Sequence, residues 1–244
     1  MKKCFVFQLL ILNLLAITIR AQDVIPNNGE DLIRLMYDTY SSNWYPYLTL
    51  KQDMFRYRDD SLIRNEVWVV AYGAPGRLHI RYDDFDSGRG WLIINDSIYS
   101  FNHNKFIGKR PRLHELITLG LDAYVVPPKD IIPKLVEMKF DLNILEKTSI
   151  NGKIVYQVGD PEKQCFWISK DDLLFYGIRK VSDSGTKELY FENYKMFYGK
   201  PVATQIQYFQ DGHLYLLEKY FEIRLPSLLP DSFFDPEQFE HTRW

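Results

Sequence analysis

The sequence predicts a mainly β protein with helices, built on one broad antiparallel sheet. Leu78, Ile80 and Tyr82 alternate with polar residues, which is typical of a strand with one apolar and one solvated face. Short turns such as Asn151-Gly152 and Asp211-Gly212 separate runs of β-forming residues. These turns leave no room for crossover helices, so sequence neighbours should pair in a long meander that curls.

The first 21 residues are typical of a secretory signal sequence. A positive start precedes an apolar stretch, and Ala21 is a small residue suited to the cleavage position. The stretch is shorter than the roughly 20 apolar residues that cross a bilayer, and Asn13 interrupts it. We therefore expect a signal peptide over residues 1–21 and a soluble exported product, residues 22–244, that forms a single domain.

Strands are predicted almost continuously after residue 46. The segment 89–104 reads as a hairpin in which Asn95-Asp96 turns between two apolar strands. The other predicted strand segments are 47–58, 62–73, 77–84, 142–150, 153–160, 164–169, 173–182, 187–198, 202–210 and 213–225.

Three segments have helical character. Residues 28–42 begin with polar residues and carry an apolar stripe that should pack on the sheet. Residues 112–124 and 128–139 lie together and form a strongly apolar insert, in which Pro133 is expected to shorten or kink the second helix. The simplest role for this insert is to plug the open side of the sheet.

Charge and cysteine content argue against several classes of protein. Without the first 21 residues, Lys and Arg are fewer than the 32 Asp and Glu, and no stretch is dense in Lys or Arg. A nucleic-acid partner is therefore not expected, because phosphate binding needs a basic surface. Cys165 would be the one remaining cysteine, so no internal disulfide is expected and the core must stabilise the protein unaided.

Motifs that carry chemistry are scarce. The acidic run at Asp83, Asp84 and Asp86 lacks the spacing of a calcium loop, and Cys165 lies in an apolar strand. No G-x-S-x-G sequence is present. We therefore predict no catalytic residue, no metal site and no cofactor. The five histidines have no partner at metal-ligand spacing: His79, His103, His114, His213 and His241.

Aromatic content is the unusual feature of the sequence. The chain has 17 Tyr, 16 Phe and 5 Trp, many of them on strands with two apolar faces. A curved sheet of this kind leaves an apolar cavity for a ligand, or its side chains fill a core without vacancy. Composition alone leaves both interpretations open.

Several motifs, spread over roughly residues 30–239, together resemble the outer-membrane lipoprotein carrier family, the LolA/LolB-like proteins. Family members show a strand with Trp, a Pro followed seven residues later by Tyr, aromatic hairpins after an Asp, and a closing strand end of the form Phe-x-x-Pro, which Phe and Pro occupy here at a spacing one residue shorter. The chain departs from the family where Ala74, rather than an arginine, precedes the proline. The matching residues are Trp68, Pro75 with Tyr82, Asp96 with Tyr99 and Phe101, and Phe234 with Pro236.

The resemblance implies a curved antiparallel half-barrel, capped by an N-terminal helix and by the helical insert at about 112–139. It also implies a periplasmic carrier or binder of lipidated protein or another acyl ligand, acting in lipoprotein transport to the outer membrane. The implied partners are acyl chains or other lipid, together with membrane-associated donor and acceptor proteins, and we expect a monomer.

Strand parity and the resemblance together give candidate ligand contacts. The predicted lid residues are Leu116, Ile117, Ile131, Leu135 and Val136. The predicted cavity residues are Trp68, Val70, Leu78, Ile80, Tyr82, Trp91, Ile93, Tyr99, Phe101, Phe166, Ile168, Tyr190, Ile206 and Tyr208.

Two alternatives come from other classes of protein. A partner-binding or sensor module on the same fold predicts an exposed apolar patch outside the cavity. A hydrolase would need His79, His103 or His213 to meet a carboxylate and a hydroxyl in one pocket.

Overall fold

The computed structural model describes residues 25–244, so the predicted signal peptide lies outside the described residues. Three α-helices are present: α1 (Gly29–Tyr40), α2 (Glu115–Gly120) and α3 (Pro128–Glu137). A short 3-10 helix, Asp122–Tyr124, joins α2 to α3, and two more lie near the C-terminus, at Asp231–Phe234 and Pro236–Gln238.

The described chain also forms fifteen strands. Those before the helical insert, β1 to β6, are Tyr47–Arg58, Ser61–Gly73, Arg77–Tyr82, Gly90–Ile94, Ser97–Asn102 and Lys105–Pro111. Those after it, β7 to β15, are Leu145–Ile150, Lys153–Asp160, Gln164–Ser169, Phe175–Ser182, Gly185–Glu192, Lys195–Phe197, Lys200–Val202, Gln205–Gln210 and His213–Arg224.

Thirteen of the strands form one open antiparallel sheet, which confirms the predicted mainly β class. Its order is β6-β5-β4-β3-β2-β1-β15-β14-β11-β10-β9-β8-β7. The sheet thus consists of two runs of sequence neighbours, joined where β1 pairs with β15. Its two edges, β6 and β7, are also the strands that flank the helical insert. The insert therefore links one edge of the sheet to the other over one face.

Two-residue turns set the register of several hairpins. Asn95-Asp96, Asn151-Gly152 and Asp211-Gly212 all have positive φ at both positions, from 47° to 81°. This conformation matches the twist of the flanking strands, and Asn, Asp and Gly adopt it most readily. The predicted turns at these positions are confirmed.

Two segments differ from the sequence-based prediction. Residues 187–198 do not form one strand, because β11 ends at Glu192 and a separate small hairpin, β12 with β13, precedes β14. Residues 112–124 do not form one helix, because α2 has only six residues and passes into the 3-10 helix after Leu121.

The two faces of the sheet are covered by different parts of the chain. The face that carries α1, α2 and α3 is called the inner face, and the largest hydrophobic cluster lies between it and these helices. On the opposite, outer face, Leu229, Phe234 and Phe239 of the C-terminal segment pack on β2, β4 and β5. Both faces of strands such as β4 are therefore buried, which explains their continuous apolar runs.

Candidate functional site

A cavity of about 560 Å³ lies between the inner face and helix α2. Most of its exposed wall is apolar. Among the residues predicted as ligand contacts, the structure places the following in its wall: Trp68, Val70, Leu78, Ile80, Trp91, Ile206 and Tyr208 from the sheet, with Leu116 and Ile117 from α2.

Cross-strand pairing brings the sheet residues of the wall together. Val70 of β2 lies opposite Ile80 of β3, and Ile80 lies opposite Trp91 of β4. On the other side of Val70, Leu50 of β1 continues the same row. Directly paired side chains lie about 5 Å apart, so the row forms one continuous apolar strip.

A second group of predicted residues lies on the inner face but outside the cavity wall. Phe166 packs edge-on against Phe140, with ring centroids 5.2 Å apart, and Tyr82 packs against Trp68 at 4.5 Å. These side chains belong to the filled part of the inner core or flank it. The group comprises Tyr82, Ile93, Phe166, Ile168, Ile131 and Leu135.

Tyr99, Phe101 and Tyr190 lie on the outer face, contrary to the position predicted for them. The two-residue turn pairs Ile93 with Ile98 and Leu92 with Tyr99, so odd positions of β4 share a face with even positions of β5. Tyr190 shares a face with Gln207 in the same way. When the two residue numbers of a cross-strand pair add up to an odd number, odd positions of one strand share a face with even positions of the next. Tyr99 and Phe101 were assigned to the inner face on the assumption that odd positions share a face in both strands.

The position predicted for one lid residue also needs correction. Val136 is 55 % exposed on α3 and does not face the cavity. Its neighbour Leu135 is fully buried and holds α3 on the inner core.

Strands β1 and β15 supply wall residues that the sequence analysis missed. Leu48, Leu50 and Met54 of β1 line the cavity, as does Leu216 of β15. The apolar residues at alternate positions of segment 47–54 indicate a strand with one apolar face. What the sequence did not reveal is that β1 lies at the centre of the sheet, where it pairs with β15.

Four polar side chains interrupt the apolar wall, and we call them the inner polar patch: Gln52, Tyr208, Glu218 and Tyr220. The Tyr220 hydroxyl donates a hydrogen bond of 3.0 Å to Oε2 of Glu218. Burial raises the pKa of the Glu218 carboxyl to about 7, although the hydroxyls of Tyr220 and Tyr208 and the charge of Arg56 oppose the rise. A carboxyl with this pKa exchanges its proton near neutral pH.

Charged groups occupy the part of the wall next to the start of α2. Lys180 of β10 pairs with Glu115, and Arg112 lies 3.8 Å from the same carboxylate. Burial disfavours the ionised form of Glu115, but the adjacent Lys180 and Arg112 lower its pKa below the usual value. Burial, reinforced by Arg112, lowers the pKa of His114 to about 4, so this imidazole is neutral at pH 7.

Polar contacts, one of them buried, attach the helical insert to the sheet. The Tyr72 hydroxyl of β2 donates a 2.6 Å hydrogen bond to Oδ1 of Asp122 in the 3-10 helix. Lys134 of α3 reaches Asp96 in the β4–β5 turn at 2.6 Å. The insert therefore rests on the inner face through directional contacts as well as through its apolar side chains.

The histidines do not assemble a catalytic cluster within residues 25–244. His79 is buried on the outer face, where its Nδ1 lies 2.7 Å from the carbonyl oxygen of Phe233. His103 is exposed in a turn, and His213 is exposed at the first residue of β15. Over the same residues, no group of three or more His, Cys, Asp or Glu is arranged to hold a metal ion.

Within the described part of the chain, no helix combines the length and the apolar character needed to cross a bilayer.

No protein-family model and no curated protein matches the sequence. Solved structures do resemble the fold. A domain described as an outer membrane lipoprotein-sorting protein domain, from Vibrio parahaemolyticus, superposes with a TM-score of 0.60 at 14% identity, covering 88% of this chain and 100% of that one.

Two further structures show the same likeness. A LolA superfamily protein from Nitrosomonas europaea has a TM-score of 0.56 at 14% identity, with 83% of this chain and 97% of that chain covered. A DUF1329 family protein from Desulfovibrio piger has a TM-score of 0.55 at 15% identity, with 85% and 95% covered. The chain therefore has the LolA-like fold, an open antiparallel half-barrel with helices on its inner face.

Proposed function

We propose that this protein binds an acyl chain or another apolar ligand in the cavity beneath α2, as a carrier of lipidated protein or lipid. The observation that carries the proposal is the cavity itself. Its volume of about 560 Å³ lies within the range of roughly 300–1,000 Å³ that is typical of small-molecule sites. Its wall is mostly apolar, as acyl-chain binding requires.

Burial of the chain would supply the binding free energy. Each methylene group that leaves water contributes about 0.8 kcal/mol. The polar fraction of the wall is small and concentrated in the inner polar patch and near Glu115 and Lys180, so most of the wall gives contact without directional selection. Such a site distinguishes ligands mainly by the length and bulk of the chain and less by their polar groups.

The periplasm is the proposed location. A signal sequence over residues 1–21 is predicted, and one structural neighbour is described as an outer membrane lipoprotein-sorting protein domain. A role in lipoprotein transport would also require membrane-associated donor and acceptor proteins. We propose that the protein acts on them as a monomer composed of one domain.

A cavity-filling substitution tests the proposal. Val70→Trp should fill the apolar strip, so saturable uptake of a fluorescent fatty acid should weaken at least tenfold. Val136→Trp adds the same side chain at a site exposed outside the cavity and should bind as the unmodified protein does. Circular dichroism melts of both variants separate a loss of binding from a loss of fold.

Gentle purification and mass spectrometry of extracted lipid give a second readout. Copurifying acyl species from the unmodified protein, absent from Val70→Trp, support the proposal. Delipidated protein that takes up no fluorescent fatty acid, or equal uptake by Val70→Trp, contradicts it.

A partner-binding module is the second candidate function. Phe106 and Ile107 are largely exposed on β6, at an unpaired edge of the sheet. Exposed edges with apolar side chains are sites where another chain adds on. This candidate predicts a stable complex with a partner protein that persists in Val70→Trp, since the edge is unchanged in that variant.

A further inference from the structure

Glu218 is the acidic member of the inner polar patch in the cavity wall. It is 7 % exposed, and the residues paired with it across the sheet are Met54 of β1 and Ile206 of β14. Its hydrogen-bonding neighbours are the hydroxyls of Tyr220 and Tyr208. Both neighbours are neutral, so they solvate the carboxyl without balancing a negative charge.

No cation pairs with Glu218 among residues 25–244. Arg56 lines the same cavity, but its guanidinium is directed to Glu66, with Nε 3.3 Å from that carboxylate. Gln52 is also buried, and its side-chain amide donates to the sulfur of Met54 at 3.0 Å, a weak acceptor. The inner polar patch therefore holds an acidic group without a counterion and an amide with a weak partner.

A buried carboxyl of this kind is costly in its ionised form. Moving a carboxylate out of water carries a penalty of several kcal/mol unless a charge partner compensates. A cavity that binds only apolar groups does not require a carboxyl here, because an uncharged Gln, Met or Leu would fill the same position. A cationic group that enters with the ligand would supply the missing partner and form a charge-assisted hydrogen bond.

We propose that the inner polar patch is a subsite for the protonated amine of an amphiphile, with Glu218 as its counterion. Tyr208 and Tyr220 would hold the carboxylate in place, and the Gln52 side-chain oxygen would accept a second hydrogen bond from the ammonium. The chain of the amphiphile fills the apolar remainder of the cavity, so this subsite rests on the proposed function.

Three ligands with one chain and different polar groups test the subsite: decylamine, decanol and decanoate. Isothermal titration at about pH 8 should show decylamine binding roughly tenfold more tightly than decanol, as expected for one charge-assisted hydrogen bond. Decanoate should bind least well, because its charge repels Glu218. Glu218→Gln should bring the amine and the alcohol to similar affinities.

Glu188→Gln is the matched control. Glu188 lies on β11 two residues before Tyr190, so its side chain is on the outer face, where it pairs with Arg179 at 3.2 Å. The control loses the same charge from the opposite face of the sheet and should keep the preference for the amine. If it loses that preference to the same degree, general electrostatics and not the patch select the amine.

The pH dependence gives a readout that needs no variant. Charged and titratable groups near Glu218 are Tyr208, Tyr215, Tyr220 and Arg56. The carboxyl ionises as pH rises through about 7, so decylamine affinity should increase severalfold between about pH 6 and pH 8 while decanol affinity stays constant.

The outcomes separate the two proposals. Equal binding of decylamine and decanol at both pH values overturns the amine subsite and leaves the apolar cavity intact. If none of the three ligands binds, and fluorescent fatty acid is not taken up either, the proposed function itself fails. If Glu218→Gln does not fold, Tyr220→Phe and the pH profile of the unmodified protein still test whether the inner polar patch binds the amine.

Discussion

Asp122 is a buried carboxyl whose protonation is tied to the fold. Burial raises its pKa to about 6 from 3.8, although the hydrogen bond from Tyr72 and the charge of Lys134 oppose the rise. The folded protein therefore retains a proton that the unfolded chain releases as pH rises through this interval. Because the folded state binds more protons, the free energy of unfolding falls with rising pH across the interval and is flat above it.

We predict that Asp122→Asn removes this part of the pH dependence. A shift of this size corresponds to roughly 3 kcal/mol of stability, present below about pH 4 and lost by about pH 6. Urea unfolding at a series of pH values measures it. Asp130→Asn, at an exposed site on α3, should retain the dependence of the unmodified protein. An unchanged pH profile in Asp122→Asn would refute the assignment to Asp122.

The face of the sheet on which a residue lies could be predicted where even positions of neighbouring strands share a face. Trp68, Val70, Leu78 and Ile80 were predicted in the cavity wall, and the structure places them there. Tyr190 was predicted beside Ile206, but the β11–β14 register gives these strands opposite parity. A small hairpin lies between the two strands, and its length cannot be read from apolar alternation.

At the scale of elements, the C-terminal segment forms a cover for the outer face. Phe239 stacks on Phe101 with ring centroids 3.9 Å apart, and the Arg81 guanidinium carbon lies 4.0 Å from the centre of the same ring. Arg81 also donates to the carbonyl oxygen of Phe239. From the sequence, Phe234 and Pro236 of this segment contributed only to the family resemblance, and a covering role was not predicted, because the segment has neither strand alternation nor helical periodicity.

We predict that Phe239→Ala lowers the free energy of unfolding by about 3 kcal/mol, the usual cost of removing a buried aromatic ring. The loss also exposes apolar surface on β4 and β5 and weakens the packing over Arg81. Thermal melts and urea titrations measure the change. Phe106→Ala makes the same substitution at a site that is 56 % exposed and should cost well under 1 kcal/mol. Similar costs in the two variants contradict a structural role for the segment.

For the helical insert, the sequence predicts helical and apolar character but not the path across the sheet. Its apolar character, two helical segments and a role as a plug were predicted, but the segment 112–124 forms only the six-residue α2 and a short 3-10 helix. Its path could not be predicted, because that depends on β6 and β7 being opposite edges of one sheet. Edge position follows from the β1–β15 pairing, a contact between distant parts of the chain that leaves no local signal.

The whole molecule combines a wide sheet, fixed by hydrogen bonds along each strand, with an insert held by few directional contacts. The insert meets the sheet through two buried hydrogen bonds, one from Tyr72 to Asp122 and one from the backbone N–H of Phe175 to the Tyr124 hydroxyl. Its ion pairs with the sheet, Lys134 with Asp96 and Lys180 with Glu115, are partly exposed, so each contributes little. The hydrogen bond between Tyr72 and Asp122 should therefore be one of the two polar contacts that control how readily the insert separates from the sheet.

We predict that Tyr72→Phe accelerates both uptake and release of a fluorescent fatty acid, each by about five- to tenfold, with a smaller change in affinity. The substitution leaves the buried Asp122 without its donor, which costs about 1–3 kcal/mol in the closed arrangement and nothing once the insert has moved away. Opening becomes more frequent, and both directions of exchange share that step. Stopped-flow fluorescence measures the two rates.

Tyr198→Phe is the matched control for this step, because Tyr198 is 83 % exposed and lies far from the insert in sequence. Unchanged rates in Tyr72→Phe, with normal equilibrium binding, would mean that the ligand enters at the rim without displacement of the insert. A change in release alone would place the hydroxyl in contact with the ligand, since a gate acts on entry and exit alike. Faster exchange in both directions is the result that makes the insert a gate as well as a plug.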